Sequence, residues 1–201
     1  MPLQLTHEQE DALREVSNIM VGHAATALAR LSDTRIDISI PRIQLLDWRE
    51  GMDIATEGSK LIAGVRTRML GALSGDVYVT FPRDSALSLT DIVRGEPPGT
   101  TRYMSASAAT TLVEIGNILA GSCLAAFYDL LDISLVHSVP EFVYDAPGVL
   151  LQTSHLEGRD GNVIVAQVTF EAPDINLAGH LILLFTMESL TSLLRTLESG
   201  Q

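Results

Sequence analysis

Glu15 with Asn18, and Glu114 with Asn117, are the residues whose types and spacing could do chemistry. In each pair the two lie three positions apart, and 22 residues separate the asparagine from a proline, Pro41 or Pro140. All three positions recur 99 residues later, and the two asparagines are among four in a chain of 201 residues. A repeat this long that keeps its rarest polar residue in register marks a duplicated unit. Each copy presents one carboxylate, a negative charge, and one carboxamide, which both donates and accepts hydrogen bonds and does not titrate.

Other sources of chemistry are absent. The five histidines, His7, His23, His137, His155 and His180, have no metal-ligand spacing. The segment from Gly71 to Gly75 lacks the Lys-Ser/Thr of a phosphate loop, and no Gly-x-Ser-x-Gly elbow occurs. Cys123 is the one cysteine, so no internal disulfide forms, and on an apolar helix it reads as packed core. Trp48, also single, reads as a packing anchor.

The elements that carry the pairs follow from periodicity. Thr6 to Gln9 reads as a capping box. Beyond it Leu13, Val16, Met20, Ala24, Ala27 and Leu31 recur at helical spacing. Asp11, Glu15, Asn18 and Gly22 fall nearly opposite that stripe, so acid and amide point away from the core. The helix should end near Ser32-Asp33. Residues 35–41 then alternate polar and apolar as a half-buried strand that Pro41 stops.

The second copy repeats this. Ser105 is the N-cap, Ile115 and Ile118 match Val16 and Ile19, Val113 stands where Arg14 does, and Gly121 and Asp132 answer Gly22 and Asp33. A strand from Ile133 to Val139 closes at Pro140. Farther on, Gly75–Phe81 resembles Gly179–Phe185 at an offset of 104, each leading into a short amphipathic helix, about 84–94 and 187–198. Strands are also expected at 61–67 and 162–171. The expected fold is α+β, a duplicated α-β-β-β-α unit with pseudo-two-fold symmetry. One continuous sheet would carry two long helices side by side on one face. The chain reads as one domain, 1–201, of two repeats, about 1–98 and 99–201, joined at the Gly95-Glu96-Pro97-Pro98-Gly99 breaker.

Asparagine on an exposed helical face is not explained by packing, since alanine there would favour the helix. A structural use would be capping, or bridging the two halves. Gly22 and Gly121, one turn beyond the asparagines, each cost roughly 1 kcal/mol relative to alanine. They suggest the close approach of another backbone, with tight internal packing the expected cause and a docked partner the alternative.

Composition bounds the rest. A hydrophobic fraction of 46% supports a sizeable core. A net charge of −12, with 13 basic residues scattered along the chain, argues against nucleic acid and anionic lipid. The longest clean apolar run, Leu181 to Phe185, is too short to span a bilayer, and residues 1–8 lack a secretory pattern. A reducing cytoplasm is the expected location.

Asp11, Glu15, Asn18 and Pro41, together with Gly22-His23-Ala24-Ala25-Thr26-Ala27-Leu28, closely resemble the signature of the CheC family of the CheC/CheX/FliY chemotaxis phosphatases. The resemblance covers nearly the whole chain. Two departures stand out: Thr110 replaces the Asp or Ser of the first motif position in the second copy, and Ser17 stands where the family often has Gly. The resemblance implies a hydrolase that removes the aspartyl phosphate of the response regulator CheY. Glu15 and Glu114 would pair with the regulator's active-site lysine, and Asn18 and Asn117 would enter its site and orient the attacking water. The protein would have no cofactor of its own, since Mg2+ belongs to the regulator. What is missing in an activated acyl phosphate is positioning. The family also binds CheD, a receptor glutamine deamidase, on a surface the sequence does not place. A non-catalytic module that binds the regulator or CheD is the alternative, and a flagellar structural component is disfavoured by length.

Overall fold

Each copy opens on a 26-residue helix, α1 (His7–Ser32) and, later, α3 (Ala106–Leu131). The computed structural model describes residues 6–39, 42–47, 61–145, 162–175 and 177–199. After α1 come β1 (Asp37–Ile38), β2 (Arg42–Asp47), β3 (Ile62–Gly71), β4 (Gly75–Pro82) and α2 (Arg83–Val93). After α3 come β5 (Leu135–His137), β6 (Glu141–Asp145), β7 (Asn162–Ala172), a 3-10 turn at Pro173–Ile175, β8 (Leu177–Phe185) and α4 (Met187–Ser199).

The long helices start and stop where their sequences direct. The Ser105 hydroxyl accepts from the Ala108 N–H at 3.1 Å and caps α3. Both helices are followed by an aspartate in the left-handed region, Asp33 (φ 47°) and Asp132 (φ 54°). Aspartate tolerates that region better than most side chains, and after α3 the Asp132 N–H returns to the Tyr128 carbonyl at 3.0 Å and the Ile133 N–H to the Phe127 carbonyl at 3.3 Å. On α1, Leu13, Val16, Met20 and Ala24 are buried, while Ala27 and Leu31 pack partly buried against the core. Val21, Leu28 and Ser17 are buried as well, so the covered face is wider than the stripe alone. Each large apolar side chain sealed this way contributes roughly 2 kcal/mol.

The strands form one eight-stranded antiparallel sheet that neither half completes alone. Its order is β1/β2, β7, β8, β4, β3, β5/β6. The first two strands of each half thus lie against the third strand of the other: β1 and β2 pair β7, and β5 and β6 pair β3. At the centre β4 pairs β8, with Tyr78 opposite Ile182, two residues that the 104-residue offset equates. Two hydrogen bonds tie the halves reciprocally. Ser74 N–H donates to the Ser189 hydroxyl at 2.6 Å, and Ala178 N–H donates to the Ser85 hydroxyl at 3.1 Å. Helices α1 and α3 pack along each other. Their apolar faces share a core with Val77, Val79 and Phe81 of β4 and Leu181, Leu183 and Phe185 of β8, which all lie on one side of the sheet.

Three expectations need correction. Among the described residues 35–39 the strand is only Asp37–Ile38, both exposed, with the Ser39 N–H still donating to the Thr169 carbonyl at 2.9 Å. Pro140 does not end its strand but interrupts it: β5 and β6 flank the proline and both pair with β3. A residue without an N–H breaks the ladder locally, and an edge strand tolerates that. Pro41 itself and Trp48 lie outside the described residues, but β1 and β2 on either side of Pro41 likewise share β7. Finally, the stretch Ala106–Asp129 is long and apolar enough by composition to cross a membrane. More than half of its most apolar window, 56%, is buried inside the protein, which accounts for that apolar content as core.

Candidate functional site

The candidate residues ride on the outer surfaces of α1 and α3. Asp11, Glu15 and Asn18 are exposed and Gly22 is half-buried; Thr110, Glu114, Asn117 and Gly121 repeat that sequence of exposures. On the same turns of the helices Val16 and Met20 are buried, as are Ile115 and Leu119 in the second copy. Residues three apart on a helix are neighbours on its surface. Each pair therefore projects from a rigid rod whose rotation and depth are set by the core.

Among the described residues, none of Glu15, Asn18, Glu114 and Asn117 makes a side-chain hydrogen bond or ion pair. The asparagines neither cap nor bridge the halves, so that structural use is excluded within the described structure. The neighbours at the first motif position are engaged instead. Asp11 sits 2.9 Å from His7 Nδ1 one turn earlier, and the Thr110 hydroxyl donates to the Ala106 carbonyl at 3.0 Å. Across the helix seam, His23 Nε2 of α1 stands 3.8 Å from Asp129 of α3.

The glycines overturn one expectation. A Cβ on Gly22 would meet no described atom within 4 Å, and one on Gly121 would meet only His137 Nε2, at 3.4 Å. Internal packing accounts for neither. On α3, packing does require Gly116, between the second pair's members: a Cβ there would overlap Val65 Cγ2 on β3. Here the backbone of α3 comes closer to the sheet than a side chain allows, and the counterpart of Gly116, 99 residues earlier, is the buried Ser17.

Nothing else described competes for the chemistry. Among the described residues no group of three His, Cys, Asp or Glu side chains could hold a metal ion. Cys123 is buried, and burial pushes its thiol up to about 12, far from a thiolate at neutral pH. What remains is two presented carboxylate–carboxamide pairs, able to dock and to orient but with no nucleophile beside them.

The pattern of the CheC-like family matches residues 8–44, which span the first Glu/Asn pair and its helix. The CheY-P phosphatase CheC of Bacillus subtilis (strain 168) is 32% identical over 198 residues, covering 94% of this chain and 93% of that one. The chain belongs to the CheC-like family. Solved structures agree on the fold. FliY of Thermotoga maritima superposes with a TM-score of 0.76 at 17% identity, covering 99% of this chain and 100% of that one. The FliM middle domain of H. pylori gives 0.71 at 11% identity, covering 96% and 99%. In this CheC-like chain, sequence reasoning treated Ile118 only as the match of Ile19. The structure separates them: Ile19 packs partly buried against the core, whereas Ile118, beside Asn117, is 42% exposed. The repeat offset could not reveal this, because it aligns identities and not tilt.

Proposed function

We propose that this protein hydrolyses the aspartyl phosphate of a CheY-type response regulator by inserting Asn18 or Asn117 into the regulator's site. The single observation that carries the reading is the twin exposed Glu/Asn pair, unengaged among the described residues and held on core-anchored helices. The relative from Bacillus subtilis, named a CheY-P phosphatase, supports the substrate class. Glu15 or Glu114 pairs with a lysine of the regulator and fixes the approach. The asparagine carboxamide then accepts a hydrogen bond from a water and donates another to hold it in line with phosphorus. The water oxygen bonds to phosphorus as the bond to the aspartyl oxygen breaks, leaving carboxylate and inorganic phosphate. Mg2+ held by the regulator would supply charge neutralisation at the phosphoryl group. The asparagine's work is positioning, which by itself can supply several kcal/mol of a barrier.

A second reading, a non-catalytic module that binds the regulator or CheD, draws on the fold shared with the FliM middle domain. A pure binder has no use for a water-orienting amide in both copies. Phosphate release from phosphorylated CheY, measured with and without the protein at substoichiometric amounts, separates the two. Turnover supports the phosphatase, and unchanged release with measurable binding supports the module.

A further inference from the structure

We propose that the two Glu/Asn sites dock the regulator through a different balance of chemistry, charge alone at the Asn18 site and a carboxylate reinforced by apolar contact at the Asn117 site. The inference rests on the phosphatase reading above. It comes from comparing positions 99 residues apart on the two exposed faces. Around Asn18 stand Asp11, Arg14 and Glu15, all exposed. Arg14 lies one turn before Asn18 on the same face and makes no ion pair among the described residues. Around Asn117 the same three places hold Thr110, Val113 and Glu114. Thr110 turns its hydroxyl to the Ala106 carbonyl, and Val113 is half-buried. Next to Asn117, Ile118 is 42% exposed where Ile19 packs inward. One site thus presents three charged side chains and the other a single carboxylate beside an uncovered isoleucine.

These surfaces respond to ionic strength by different amounts. Exposed charges steer association and are screened beyond about 8 Å at physiological salt and about 3 Å at 1 M. Apolar contact is not screened. The Asn117 site therefore keeps more of its affinity at high salt than the Asn18 site does.

The test uses single-site variants, Asn117→Ala to leave the Asn18 site and Asn18→Ala to leave the Asn117 site, with phosphorylated CheY as substrate. Between about 50 and about 500 mM KCl, KM should rise about tenfold for Asn117→Ala and less than about twofold for Asn18→Ala. Adding Ile118→Ser to Asn18→Ala should raise KM about fivefold at every salt concentration, with kcat and melting temperature unchanged. The same change added to Asn117→Ala should leave KM where it was. If either single variant turns over too slowly, the salt comparison is read as Kd for CheY activated with beryllium fluoride, using Glu114→Ala/Ile118→Ser to silence the Asn117 site and Glu15→Ala to silence the Asn18 site. Equal salt slopes at the two sites, or an Ile118→Ser change without effect, would overturn the inference while leaving the phosphatase reading intact. A wild-type protein that accelerates nothing at any salt concentration would overturn both.

Discussion

Gly116 of α3 rests on Val65 of β3 with no space for a side chain between them, a Cβ there overlapping Val65 Cγ2. Gly116 sits between Glu114 and Asn117, so this contact sets how deeply the second pair's helix seats on the sheet. Gly116→Ala should destabilise the fold by about 1–3 kcal/mol, because the helix must lift or Val65 must leave its rotamer. Urea denaturation measures this, and an unchanged midpoint would mean the contact yields freely.

Gly22 behaves in the opposite way. Its Cβ position is open, so Gly22→Ala should stabilise α1 by about 0.5–1 kcal/mol. If the position is kept small for a docked regulator, the same variant should also raise KM. Loss of stability in Gly22→Ala would restore the internal-packing explanation.

His180 gives the protein a pH dependence. Desolvation by burial lowers its pKa below the ordinary 6.5, with Glu171 acting weakly in the other direction. As pH falls through about 6.5, the unfolded histidine takes up a proton that the folded one still refuses. The unfolded state then binds more protons, so stability is lost on acidification below that pH. His180→Gln should flatten this part of the curve. Equal loss between pH 7.5 and 5.5 in wild type and variant would assign it to other groups.

Docking should depend on the carboxylates. Glu15→Ala and Glu114→Ala should each weaken binding to the activated regulator, and the double variant more than either, while melting temperatures stay within experimental scatter because both side chains are exposed. Binding that survives the double variant would remove the lysine-pairing role.

Much of this was readable in the sequence because the copies check each other. The stripe from Leu13 to Leu31, the Ser105 cap and the aspartates closing both helices are local signals, and each appears where expected. The outward placement of Glu15, Asn18, Glu114 and Asn117 followed from 100° geometry alone. What escaped was non-local. β2 and β6 lie directly after prolines that look like stops, and only the partner strand shows that pairing resumes. The exchange of the first two strands between halves is invisible to periodicity. So is the difference between Gly116 and Gly22, which depends on what faces each helix.

The most direct measurement of the central claim is phosphate release from phosphorylated CheY with the double variant Asn18→Ala/Asn117→Ala. Both side chains are exposed, so the variant should keep its fold and its binding. Release should fall to the rate of the regulator alone, while each single variant keeps part of the activity. A double variant that binds the regulator and still accelerates release like the wild type would contradict the account.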